Sequence, residues 1–221
     1  GVLDSGFVRR VGRLKTRFSS LKFHCSLIAL PDFSRHLGHH FEPKMLAMIK
    51  ICPSVEYFES NWEDARQGRP TRNPLMYVQI PSVYDDSLAP LGHHVMSCWM
   101  QLQPVRLASE SWDDVKEEVA ENLISTLETY APNIREIISN WELFTPLDLE
   151  RRPGMTDGNI RHLDTIPQQL FSRRTLPGCE PYKTPIRDLY LCGAGTHPGG
   201  EVTGAPGHNA AQAILADLNR L

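Results

Sequence analysis

The sequence predicts a mixed α/β (α+β) fold: a largely antiparallel sheet with helices, closed by a C-terminal strand–loop–helix. Three observations predict it. Over His93–Gln103, Met96, Cys98, Met100 and Leu102 alternate onto one face, the period of a half-buried strand. Ser111-Trp-Asp-Asp114 then opens an amphipathic helix, with Ser111 as N-cap and acids in the first turn. Val115, Val119, Leu123, Ile124, Leu127 and Tyr130 form its apolar stripe, and Pro132 ends it. Finally, a short apolar run at 188–192 leads through a glycine-dense loop into a small-residue helix at about 204–219.

The remaining elements follow in order. Residues 23–29 read as a strand that stops at Leu30-Pro31. Ser54 caps a helix over about 55–67, with Gly68 as its stop. Leu75 to Ile80 is a second strand, closed by Pro81. The Pro-, Asp- and Ser-rich stretch from Pro81 to Gly92 connects two neighbouring antiparallel strands. Ile134 to Phe144 is ambiguous between strand and helix. Residues 145–187 read as a long ordered excursion with a short helix near 166–172. The sheet domain therefore spans 1–184 and the closing segment 185–221.

Composition narrows the function. A chain of 221 residues can bury a substantial core. Its net charge of −3 offers no argument for nucleic acid. No apolar run approaches the roughly 20 residues that span a bilayer. Five cysteines without CxxC argue for a reducing compartment rather than a disulfide framework. Arg9, Arg10, Arg13, Lys15, Arg17 and Lys22 lie in an acid-free stretch that suits a mitochondrial transit peptide. A solvated basic face is the preferred reading. His36, His39, His40, His93 and His94 lack zinc-site spacing, and no cysteine pair supports them. There is no GxSxG, HExxH or P-loop, hence no nucleophile–base signature. Cys192 has no CxxC partner and reads as a small buried residue, and Met96, Met100, Trp99 and Trp62 read as core packing before pocket lining.

The loop Gly193-Ala-Gly195-Thr-His197-Pro-Gly199-Gly200-Glu-Val-Thr203-Gly204 carries the chemistry. Glycines remove Cβ atoms, so main-chain N–H groups can approach a ligand. The helix that follows adds donors and a positive dipole end. Together they seat a phosphate or an electron-rich ring edge, which points to a nucleotide cofactor.

This loop resembles the flavin-contacting segment of the phytoene-dehydrogenase-like flavoproteins, a branch of the FAD-dependent amine oxidase superfamily. Cys52-Pro-Ser-Val, Tyr77-Val-Gln-Ile-Pro, Asp86-Ser-Leu-Ala-Pro, Thr145-Pro-Leu-Asp-Leu and Gly158-Asn-Ile-Arg-His162 are similar to that family too. The resemblance implies FAD as cofactor and hydride transfer to it from an apolar small molecule. It places residues 185–221 in an FAD-binding, Rossmann-like domain beside a substrate-binding-type domain. It implies flavin contact by Gly193, Gly195, Thr196, Gly199, Gly200, Val202, Thr203 and Gly204. Catalytic residues stay unassigned; His162 and His197 are the candidates, each equally readable as a held loop residue. Asn159 falls in the same segment as His162, and Asn209 is expected to bond back to the loop.

Two departures stand out. Glu201 replaces a family glycine. The family's GxGxxG, which holds the ADP half of FAD, is absent. The expectation is the C-terminal portion of a longer flavoprotein, or a short form, with a protein partner or self-association completing the FAD domain. A catalytically silent interaction domain that keeps the fold without cofactor is the alternative. The resemblance implies a mitochondrial matrix location, with the cytoplasm as alternative.

Overall fold

The computed structural model describes residues 3–38, 40–174, 176 and 179–219. His39 lies outside the described residues. In chain order the elements are α1 (Ser5–Val11), β1 (Phe18–Leu27), α2 (Ser34–Leu37), β2 (Ile49–Ile51), α3 (Val55–Arg66), β3 (Met76–Gln79) and β4 (His94–Pro104). Then come α4 (Trp112–Tyr130), α5 (Ile134–Ile137), β5 (Ile138–Phe144), α6 (Pro146–Arg151) and α7 (Ala205–Leu218). The chain forms two compact units, one of residues 18–158 and one that joins 1–17 to 159–221. The expected boundary at 184/185 falls inside the second of these.

Residues 18–158 build a five-stranded, wholly antiparallel sheet in the order β2-β3-β4-β1-β5. Alternation sends Leu21, Phe23, Cys25 and Leu27 of β1 to one face, with Met96, Cys98 and Met100 of β4 beside them. α4 closes that face with Val115, Val119, Leu123, Ile124 and Leu127 of the expected stripe; Trp112 joins them, and Tyr130 is only partly buried. Ser111 and Asp114 form a capping box, as the sequence signature requires. Ser54 likewise caps α3, accepting from the Tyr57 N–H at 3.2 Å.

Leu102 departs from the expected alternation. Its φ is +60°, and the β1–β4 register slips between Ser19 and Leu21. This bulge turns Gln103, not Leu102, into the core. The Gln103 amide donates to Thr71 Oγ1 at 3.0 Å. Residues 134–144 resolve into one helical turn, α5, followed by β5. α6 carries a second capping box, Thr145 with Asp148.

In residues 1–17 and 159–221, Asp4 caps α1 by accepting from the Phe7 N–H at 2.9 Å. Arg9 and Arg10 are exposed on that helix. The expected short helix near 166–172 is two 3-10 turns, Pro167–Gln169 and Phe171–Arg173. The expected strand at 188–192 does not form. Its ladder is a single bridge, Lys183 to Tyr190. A strand exists through its neighbour's hydrogen bonds, and no strand lies alongside this segment among the described residues. Leu189 and Leu191 are exposed there, and so is Cys192, which the sequence places in a buried strand. The helix at the end does form, as α7.

Candidate functional site

The glycine loop starts where that segment ends. Gly193 has φ +86°, and nothing stands within 4 Å of where its Cβ would be. Its carbonyl accepts from the Thr196 N–H and Oγ1 at 3.0 and 2.9 Å, which buries Thr196. Gly195 sits against His162, whose Cβ would lie 3.6 Å from a Gly195 Cβ. Gly199 is buried with φ +116°. Beyond it the loop opens: Val202, Thr203 and Gly204 are exposed. Gly204, at φ +69°, is the N-cap of α7 and offers no side-chain cap. Thr203 Oγ1 takes that part, accepting from the Ala205 N–H at 3.2 Å. The main-chain N–H groups of Gly200, Val202 and Thr203 have no acceptor among the described residues.

The loop is held from behind by polar groups. Tyr182, buried at φ +67°, donates to the His197 carbonyl at 2.6 Å. Asn209 of α7 donates to the Tyr182 hydroxyl at 2.9 Å, so its tie to the loop runs through Tyr182. Lys183 and Tyr190 both reach Asp217 at 2.9 Å. Burial on α7 is confined to Pro206 and Ala210, while Leu215 and Leu218 are exposed.

The candidate histidines differ. His197 packs its ring on Phe171 at 5.9 Å. His162 is exposed, at φ +62°, with its N–H on the Asn159 carbonyl. Asn159 is buried and braces this turn, donating to Asp164 and accepting from the Arg161 N–H. Arg161 pairs with Glu201, so the carboxylate that departs from the family pattern is engaged by a guanidinium.

Arg174 is the residue that sequence reasoning missed. It is 2% exposed, at the end of the Phe171–Arg173 turn. Its Nη2 donates to the carbonyls of Arg161 and Ala194, both at 2.9 Å. Its Nε and Nη1 are buried without a partner among the described residues. No local pattern marks such a residue; Arg173-Arg174 reads as a solvated pair.

Two features belong to residues 18–158 alone. The sheet face opposite the core carries Lys22 between Trp99 and Phe144. The Lys22 ammonium donates to Ser97 Oγ at 2.7 Å, and burial lowers its pKa. His24 lies edge-on to Phe144, with its pKa lowered by burial and then by Lys22. Tyr77 and Trp99 pair at 5.6 Å. Met96 and Met100 are on the opposite face from Trp99, and Trp62 packs on Phe18. These four residues therefore line no common pocket. A cavity of about 430 Å³ opens between Arg69, Arg72, Leu107, Val115, Glu118 and Asn122.

The donors fit a bound nucleotide cofactor. Main-chain N–H groups without an acceptor among the described residues, and glycines with open Cβ directions, are a donor set compatible with an electron-rich group.

The chain is 34% identical to rat "pyridine nucleotide-disulfide oxidoreductase domain-containing protein 2" over 229 aligned positions, 99% of this chain and 39% of that protein. The mouse protein matches equally. A 4,4'-diapophytoene desaturase of Staphylococcus aureus is 30% identical over 193 positions, 84% of this chain and 36% of that one. The chain belongs to the phytoene-dehydrogenase-like oxidoreductase family. It spans 39% of the length of the rat and mouse relatives and 36% of that desaturase. No protein-family model matches. The crystal structure of an oxidoreductase from Methanosarcina mazei shares the fold, with TM-score 0.50 and 15% identity over 96% of this chain and 37% of that one.

Proposed function

We propose that this chain is the C-terminal portion of an FAD-dependent oxidoreductase of the dehydrogenase or desaturase kind. The observation that carries the reading is the open glycine loop, with the N–H groups of Gly200, Val202 and Thr203 unpaired among the described residues. FAD, when bound, supplies a hydride acceptor, so an apolar substrate that gives up a hydride and a proton from adjacent carbons gains a double bond. The residues of this chain bind and orient. The loop donors meet electron density on the ring edge, where fixed dipoles need no reorganisation. Thr196 and Tyr182 fix the loop's shape. The family's desaturase names support the reaction class. A mitochondrial location and a partner segment over exposed Leu215 and Leu218 belong to the same proposal.

The full-length protein tests it. The wild type is expected to purify yellow, or to take up stoichiometric FAD. Gly200→Val crowds the loop without demanding left-handed backbone, since Gly200 lacks a positive φ and its nearest neighbour is the Ala194 Cβ at 3.4 Å. It should weaken FAD roughly tenfold or more. Colourless protein that gains no flavin would establish the silent-domain alternative. Unchanged flavin content in Gly200→Val would remove the loop from the site.

A further inference from the structure

We propose that the cavity between the turn after α3 and the first half of α4 binds a zwitterion, an α-amino acid with an apolar side chain. The site lies wholly within residues 18–158 and does not depend on the cofactor reading above. Its volume, about 430 Å³, falls within the roughly 300–1,000 Å³ of small-molecule sites. Arg69 and Arg72 stand on the wall made by the turn. Val115, Glu118, Val119 and Asn122 recur at helical spacing, so one face of α4 makes the facing wall. The two walls are tied together at both ends. The Ala108 N–H donates to the Gly68 carbonyl at 2.9 Å, and Asn122 Nδ2 donates to the carbonyls of Thr71 and Arg72 at 3.3 and 3.2 Å. Main chain as well as side chains therefore frame the cavity.

The charges fix the ligand's chemistry. Asp64 is buried behind the first wall and takes both guanidiniums, Arg69 Nη2 at 2.8 Å and Arg72 Nε at 3.1 Å. Two cations share one carboxylate, so that wall keeps one positive charge in a fixed orientation. Asp64 holds Nε and Nη2 of Arg72, and Nη1 has no acceptor among the described residues. The facing wall is the reverse. Glu110 and Glu118 have no basic partner among the described residues, and no ion pair joins the two walls there. A simple anion would meet two carboxylates, and a simple cation would meet the arginines. A molecule with a carboxylate and an ammonium on one carbon answers both walls. Its side chain is then left for Leu107, Val115 and Val119, the apolar part of the lining. A peptide terminus brings one of the two charges and is the poorer match.

The test uses the full-length protein with L-leucine as probe, beside isocaproate, which lacks the ammonium, and isoamylamine, which lacks the carboxylate. Calorimetric affinities are read for the wild type, Arg72→Gln and Glu118→Gln, and circular dichroism checks each fold. The wild type is expected to bind L-leucine roughly tenfold or more tightly than either analogue. Arg72→Gln and Glu118→Gln should each weaken L-leucine roughly tenfold. The losses should be selective: Arg72→Gln should not weaken isoamylamine, and Glu118→Gln should not weaken isocaproate. If a variant does not fold, the wild-type ranking of the three probes decides. No binding of L-leucine in the millimolar range, an analogue that binds as tightly as L-leucine, or folded variants with unaltered L-leucine affinity would overturn the proposal.

Discussion

At the residue scale, two of the buried charged side chains are treated oppositely. Asp64 is 1% exposed and collects the guanidiniums of Arg69 and Arg72, at 2.8 and 3.1 Å. Burial works against its ionisation, yet the hydrogen bonds from Arg72 and Arg69 hold its carboxyl below the ordinary 3.8. The sign follows from the lowered value. The stabilisation is complete above the unfolded carboxylate's range and is lost as pH falls through the lower folded value. Asp64→Asn should cost about 2 kcal/mol near neutrality, a moderate figure because both arginines reach solvent. Denaturant titrations at pH 7 and at about pH 3 check it. The gap between wild type and variant should shrink in acid, and a gap that persists there would rule out the carboxylate as the source. Arg174, by contrast, has no carboxylate among the described residues. The first is an ion-paired core carboxylate, and the second is a buried guanidinium held on two carbonyls.

At the scale of elements, legibility tracked local physics. α3 and α4 were readable because caps and periodicity are local, and both N-caps form as the sequence predicts. β3 and β4 were readable from alternation and the proline-rich connection between them. Leu102 was not, because a bulge is decided by pairing with β1, which no alternation reports. The failed strand at 188–192 has the same cause: apolar propensity is present and the pairing neighbour is not. The glycine loop and α7 were legible in composition, but Arg174 was not, since its burial depends on Arg161 and Ala194 far away in sequence. Gly158 shows how tightly tertiary context can bind. Its φ is +57°, and a Cβ there would collide with the Pro146 carbonyl at the start of α6. Gly158→Ala should therefore cost about 3 kcal/mol or more, read as a lower denaturation midpoint. A variant within about 0.5 kcal/mol of wild type would mean that the turn before Asn159 is not packed this way.

At the scale of the whole molecule, the chain divides its labour. Residues 18–158 supply a stable antiparallel scaffold with an apolar core and a second, aromatic sheet face. Residues 1–17 and 159–221 supply the glycine loop, its bracing by Tyr182 and Asn209, and the orphaned guanidinium. No described helix is long and apolar enough to cross a membrane. In the proposed function the main chain of residues 199–204 contacts the flavin. Amide hydrogen exchange on the full-length protein, with and without FAD, tests it most directly. Slowed exchange of the Gly200, Val202 and Thr203 amides on adding FAD is the predicted result. FAD that binds while those amides exchange at an unaltered rate would contradict it.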